Sequence, residues 1–267
     1  MSASIIWNVS PEIYHIGNLT LRWYGLLFAL SFFLGYFILA AAFKKEGVSI
    51  KLLDSLTIYM AVGMVIGARL GHCLFYEPGY YLHNPAEILK IWQGGLASHG
   101  AAIGILFTLY IFAKRYNKPY LWLLDRIVIV TALAGFLIRM GNLMNSEIYG
   151  IETKLPWGFI FVRNNEVVSR HPTQIYEALS YLVIFILIYG LYRKKHIVLG
   201  EGFLSGIFLV LIFSARFLVE FFKNNQADFE SAMALNLGQL LSIPFIITGL
   251  ILFYLSFRKK HIRVNNL

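Results

Sequence analysis

Arg139-Met140-Gly141-Asn142-Leu143-Met144-Asn145-Ser146-Glu147-Ile148-Tyr149-Gly150 closes a strongly apolar run that begins near Leu121. The run over 121–141 has the length of about 20 residues that a bilayer core of about 30 Å requires. A hydrophobic helix has no use for an arginine, two asparagines and a glutamate crowded at its end, because each must find a partner or bear the cost of leaving water. The stretch therefore carries two readings. Its polar groups either cap a helix and tie down a loop, or they mark a place where chemistry is done.

Working outward, further apolar runs lie at 22–43, 53–76, 95–113, 174–192, 202–222 and 237–257, which makes about seven spans. With 58% hydrophobic and 14% charged residues among 267, and a mean hydropathy of +0.65, the chain is too apolar for a soluble domain of this length. The expected fold class is an all-α integral membrane protein of about seven transmembrane helices. The net charge of +9 does not point to nucleic acid, because the basic residues sit in short clusters between apolar runs. Cys73 is the only cysteine, so no intramolecular disulfide forms and a buried structural thiol is its expected state. Residues up to about Thr20 lack a basic region leading into a short apolar core, so no cleavable signal peptide is expected. No linker or repeat divides the chain, and residues 1–267 read as one domain.

Orientation follows from the lysine and arginine bias of short loops. Lys44, Lys45 and Lys51, then Lys114, Arg115 and Lys118, then Arg193, Lys194 and Lys195, and finally Arg258, Lys259, Lys260 and Arg263 all fall on one side. That side is expected to be cytoplasmic, which puts the N-terminus outside and the C-terminus inside. The outer segments are then 77–94, with room for a short interfacial helix, 142–173 and 223–236. Segment 142–173 is long enough for a small periplasmic head with a hairpin at Arg163-Asn164-Asn165-Glu166. Trp7, Trp23, Trp92 and Trp157 stand where interfacial anchors are expected.

In this topology the buried or bordering polar residues share one level. Arg69 and His72 fall late in the second span, His99 early in the third, Arg139 late in the fourth, Gln174 and Glu177 early in the fifth, and Arg216 and Glu220 late in the sixth. A transporter would spread such groups through the full depth, and a receptor would need larger cytoplasmic loops for its partner. A cup open to the outer leaflet fits a lipid-modifying enzyme better. Arg216 and Glu220, four apart, are expected to pair along one helix face, and the remaining arginine charge suits a phosphate, such as that of a lipid headgroup. Plainer roles stand beside these: His99 as an interfacial histidine, Arg69 snorkelling to the interface, and Arg216 with Glu220 as a structural pair. The small residues of Ser98-His99-Gly100-Ala101-Ala102-Ile103-Gly104 admit close approach of a helix or a ligand. Gln174 and Glu177 would hold the head against the bundle.

These residues resemble those of the prolipoprotein diacylglyceryl transferase family. Arg22-Trp23-Tyr24-Gly25-Leu26, Gly67-Ala68-Arg69-Leu70-Gly71 and His99-Gly100 are similar to its first three motifs, and Arg139 to Gly150 to its signature, at Arg139, Gly141, Asn142, Asn145, Glu147 and Gly150. His171-Pro172-Thr173-Gln174-Ile175-Tyr176-Glu177, Arg216-Phe217-Leu218-Val219-Glu220-Phe221-Phe222 and Gly238-Gln239-Leu240-Leu241-Ser242-Ile243-Pro244 complete the series. Ile138, Leu143 and Ala101 depart from the family pattern.

The resemblance implies a bacterial inner-membrane transferase facing the outer leaflet. It implies phosphatidylglycerol as donor, the lipobox cysteine of a prolipoprotein signal peptide as acceptor, glycerol phosphate as leaving group, and no metal or cofactor. A thiol of pKa about 8.5 must then be deprotonated, and the departing phosphate must be stabilised. His99 is the expected base, with Glu147 open as an alternative. Arg139 and Arg216 are expected to clamp the phosphate, with Asn142, Asn145, Glu147, Gly150, Glu220 and Tyr24 binding or supporting the headgroup.

Overall fold

The computed structural model describes residues 4–17, 19–195, 200–224, 230 and 233–264. Parts of the outer segment 223–236 and of the basic cluster near the C-terminus thus lie outside the described residues or side chains. Eight α-helices are described: α1 (Trp23–Lys45), α2 (Ile50–Phe75), α3 (Pro78–His83), α4 (Ser98–Arg115), α5 (Tyr120–Met144), α6 (Thr173–Lys195), α7 (Phe203–Val219) and α8 (Leu237–Val264). Six of them, α1, α2, α5, α6, α7 with the turn after it, and α8, are long and apolar enough to cross a bilayer. The chain is a multi-pass membrane protein. The run expected as the third span is α4, only 18 residues long and polar at both ends, with Ser98 and His99 at one and Lys114 and Arg115 at the other. Its apolar middle is shorter than the other six.

The fold is not wholly helical. Strand β1 (Ile5–Trp7) pairs in parallel with β4 (Phe159–Phe161), and β2 (Glu12–Ile16) pairs antiparallel with β3 (Leu19–Arg22). Three to five residues are too few for an alternating pattern to declare itself, and the β1–β4 pairing joins segments some 150 residues apart in sequence.

The chain folds as two compact units, residues 39–124 and residues 1–38 with 125–267. In the first, α2 packs on α4 through glycines spaced by four. A Cβ on Gly67 would collide with the carbonyl oxygen of Gly100, and one on Gly104 with that of Gly63. The small residues after His99 therefore serve helix packing. Arg69 is spent on backbone carbonyls. Buried at 4% exposure, it donates to the carbonyls of Glu87 (2.6 Å), Ile88 (2.9 Å), Gly94 (2.7 Å) and Gly95 (3.2 Å), pinning the segment that contains α3 and two 3-10 turns.

In the larger unit, Leu143, Phe159 and Phe161 form a small core under the head, with Trp7, Met140, Tyr149 and Ile175 against it. Trp7, expected as an interfacial anchor, is spent here: its ring lies 5.3 Å from that of Phe159 and its Nε1 donates to the Leu143 carbonyl at 3.1 Å. The chain reverses through a 3-10 turn at Val162–Asn164, with Asn165 left-handed at φ 60°, and returns so that Phe159 and Arg170 exchange backbone hydrogen bonds. The reversal expected at 163–166 is present. At the other end of α5, the buried Asp125 carboxylate accepts from the Gly202 and Ser205 amides, each at 2.8 Å, and so caps the start of α7.

Candidate active site

The site is built on the end of α5. Arg139 and Asn142 are one turn apart, and Arg139 Nη1 donates to Asn142 Oδ1 at 3.3 Å. After Met144 the helix breaks into a loop in which Ser146 (φ 56°) and Ile148 (φ 59°) are left-handed. A β-branched residue in that region is a true outlier, and strain of this kind costs on the order of 1–3 kcal/mol and persists only where the surroundings over-determine it.

Here they do. Asn164 Nδ2 donates to the Ser146 carbonyl (2.7 Å), Gln174 Nε2 to that of Glu147 (2.6 Å) and Thr173 Oγ1 to that of Ile148 (2.8 Å), while the Glu147 amide donates to the Asn142 carbonyl (2.9 Å). Gln174 and Thr173, both fully buried at the start of α6, act as staples for the loop. Gly150 ends the stretch with its amide bonded to the His171 carbonyl at 2.8 Å, and a Cβ there would strike the Phe222 carbonyl. Its demonstrable role is close backbone packing.

A chain of charge runs under the loop. Arg139 Nε lies 2.7 Å from Glu177 Oε2; Glu177 Oε1 lies 3.0 Å from Lys223 Nζ; and Lys223 Nζ lies 2.9 Å from Glu220 Oε2. Glu177 is fully buried, and the Lys223 and Glu220 side chains are almost so. A buried group of this kind survives because every charge has a partner, and removing one costs about 3–5 kcal/mol.

Above it, the exposed Glu147 carboxylate accepts from Asn142 Nδ2 (3.3 Å) and Asn145 Nδ2 (3.2 Å). A cavity of about 820 Å3 opens beside this carboxylate, lined among others by Asn145, Glu147, Tyr149, Asn164, Lys223 and Asn224. That is in the range of small-molecule sites. Tyr24 packs its ring against Gly141, within electrostatic reach of Glu147 and Arg139.

Arg216 is half-buried on α7, within electrostatic reach of Tyr181, as Arg139 is. The ion pair expected between Arg216 and Glu220 does not form. The α-helix ends at Val219, and Glu220 opens a 3-10 turn, Glu220–Phe222. Residues three apart eclipse in that geometry, so Glu220 meets Lys223 instead. Among the described residues no carboxylate pairs with Arg216. Glu220 is backed by α8, whose Gly238 leaves no space for a Cβ beside that carboxylate. Asn236 and Gln239 form a reciprocal capping box there: the Gln239 amide donates to Asn236 Oδ1 (2.9 Å), and the Asn236 amide to Gln239 Oε1 (3.1 Å).

His171 lies just before α6, its Nδ1 3.0 Å from the Tyr176 hydroxyl and its ring against Phe222. Burial lowers its pKa from the ordinary histidine value and favours the neutral ring. His99 is in the other unit, second residue of α4, exposed and without a side-chain hydrogen bond among the described residues. The structure thus gathers Arg139, Asn142, Asn145, Glu147, Glu177 and Glu220 in one unit, with Tyr24 and Gly150 beside them, and leaves His99 outside that unit. Sequence reasoning gives no role to Lys223. Its spacing of three from Glu220 is the signal that could have found it.

Fold and site together define the class: a multi-pass membrane protein with a charge-lined polar pocket beside a strained loop. The family model described as prolipoprotein diacylglyceryl transferase matches residues 11–255. The chain belongs to that family. It is 46% identical over 257 residues to the phosphatidylglycerol–prolipoprotein diacylglyceryl transferase of Tolumonas auensis, covering 96% of this chain and 99% of that protein. To the protein of the same name from Chloroherpeton thalassium it is 46% identical over 262 residues (98% and 97% of the two chains), and to that from Bacteroides fragilis 40% over 272 residues (97% and 98%).

Proposed function

We propose that this protein transfers the diacylglyceryl group of phosphatidylglycerol to the lipobox cysteine of a prolipoprotein, the first step of bacterial lipoprotein maturation. The observation that carries the reading is a coincidence of place. The stretch that resembles the family signature, Arg139 to Gly150, is the one that borders the polar pocket and anchors the buried charges.

The reaction is a displacement at carbon. The cysteine sulfur attacks the glyceryl carbon that bears the phosphate ester, a C–S bond forms, and the C–O bond breaks with its electron pair leaving on glycerol phosphate. Arg139 and Arg216 hold the phosphate and offset the charge that grows on its oxygen. Arg216 suits this role because no carboxylate of the described residues occupies it, whereas Arg139 is oriented by Glu177 and keeps Nη1 toward Asn142. Asn142, Asn145 and Tyr24 support the headgroup side, and Gly150 lets the loop close on Phe222. The thiol proton passes to His99, whose ring carries no competing hydrogen bond among the described residues. Glu147 is a second reading for the base, favoured by its place on the pocket wall.

The chain acts as one domain without metal or cofactor in the bacterial cytoplasmic membrane, with α4 as a seventh span, the N-terminus outside and the site facing the outer leaflet. The test is mass spectrometry of a lipobox peptide incubated with the purified protein and phosphatidylglycerol. A diacylglyceryl mass increase on the cysteine is expected. No increase from folded protein across several lipid donors overturns the reading and makes transport the next assay.

A further inference from the structure

We infer that Lys223 is a positioning residue that holds Glu220 away from Arg216 and so keeps the Arg216 guanidinium open to the phosphate of the lipid donor; the inference rests on the transferase reading above. A helix that continued past Val219 would set Arg216 and Glu220 four apart on one face, where such residues pair. Arginine donors satisfied by an internal carboxylate are not available to a ligand. The 3-10 turn at Glu220–Phe222 changes the partner. It brings Lys223 Nζ to 2.9 Å from Glu220 Oε2, with both side chains 3% exposed.

The arrangement is fixed from two further directions. Gly238 leaves room for the Glu220 carboxylate where any side chain would displace it, and Asn236 Nδ2 donates to the Glu220 carbonyl at 3.2 Å. Lys223 also reaches Glu177 at 3.0 Å, a carboxylate already engaged by Arg139. One ammonium therefore satisfies the second carboxylate of the site, while Glu177 keeps its own arginine. Without Lys223 a buried carboxylate at 220 lacks a counter-charge, and a buried charge takes the nearest one available. Arg216 is the cation one helical turn back.

The consequence is specific to donor binding. Lys223→Met is expected to raise the KM for phosphatidylglycerol about tenfold or more with a smaller change in kcat, the mark of lost binding that is shared by ground and transition states. Lys223→Arg, which keeps the charge, stays near wild type. Lys223→Met combined with Glu220→Gln removes the stranded carboxylate and is expected to lower KM by about threefold or more from the Lys223→Met value, because an ion pair replaced at both ends avoids the unpaired charge.

The experiment is steady-state transfer to a lipobox peptide in mixed micelles of varied phosphatidylglycerol content, on variants first checked for folding by circular dichroism. Recovery of KM in the double variant supports the role of Lys223. A Lys223→Met protein with unchanged KM, or a folded double variant that does not recover, overturns it. Should Lys223→Met alone not fold, Lys223→Gln, neutral but still able to donate to a carboxylate, takes its place in the same comparison. Wild-type protein that forms no adduct overturns the transferase reading itself, an outcome separate from any of these.

Discussion

Two glycine-bearing stretches read alike in the sequence and do different things in the molecule. Around Gly67 and Gly100, small residues and a nearby arginine and histidine look like the floor of a site, yet the glycines bring α2 and α4 into backbone contact and Arg69 is consumed by four loop carbonyls. Around Gly141 and Gly150, the chain leaves its helix, enters left-handed conformations at Ser146 and Ile148, and borders a cavity of about 820 Å3. Small residues next to polar ones do not identify a site by themselves. What separates the two is where the backbone carbonyls go. Beside the first stretch, carbonyls of Glu87, Ile88, Gly94 and Gly95 satisfy the buried Arg69; in the second, the loop's own carbonyls are held by Asn164, Thr173 and Gln174 while a carboxylate stays exposed.

The contrast can be broken most severely at Glu177. Glu177→Ala leaves Arg139 without its carboxylate and Lys223 with one of two, and is expected to destabilise the protein by about 3–5 kcal/mol and abolish transfer, read by thermal unfolding and by adduct yield. Retained activity with an unchanged melting temperature would remove the buried charge chain from the account.

On the other side of the comparison, Gly104→Leu forces a side chain against the backbone of α2. Loss of about 1–3 kcal/mol is expected, with any activity change following from stability alone. A stable Gly104→Leu protein with a selectively raised donor KM would show that this stretch is a site after all.

A smaller effect is expected at Gln174. Gln174→Leu removes the donor to the Glu147 carbonyl and leaves that oxygen short of a partner, at a cost of about 1–3 kcal/mol. The strained loop should loosen with it, so peptide transfer is expected to fall more than stability does. Equal falls in both would reduce the staple to ordinary packing.

The smallest is a pH effect at His171. Its pKa is lowered in the folded protein, so the unfolded chain binds more protons across the interval between the two values. The stability contributed is fully present above the unfolded histidine pKa, about 6.5, and is lost as pH falls from there through the folded value. His171→Phe should flatten that part of the melting curve against pH, and an unchanged slope would assign it elsewhere.

Much of this organisation was legible before the structure. The six long apolar helices follow from run length and hydropathy, and the starts of α1, α5 and α6 fall within about a residue or two of the runs that announce them, as expected for strongly apolar segments. The polar cluster at the end of α5 was legible because buried polarity is costly. Two things were not. Strands β1 and β4 are three residues each and exist only through each other. The pairing of Glu220 was misread because a helical pattern assumes continuing helix, and a change from α to 3-10 after Val219 moves the partner from the residue four before to the residue three after. Lys223, directly behind two phenylalanines at the end of an apolar run, offers no periodicity to mark it as buried.

The central claim is that the protein breaks the bond between the glyceryl carbon and the phosphate oxygen and leaves the diacylglyceryl group on cysteine sulfur. Phosphatidylglycerol isotopically labelled in its diacylglyceryl part, incubated with the protein and a lipobox peptide, tests it directly. The prediction is a peptide that carries the full diacylglyceryl label as a thioether, with unlabelled glycerol phosphate released in equal amount, and no label transfer by Arg139→Ala. Label arriving as a single acyl chain, or lipid crossing the bilayer with no peptide adduct, would contradict it.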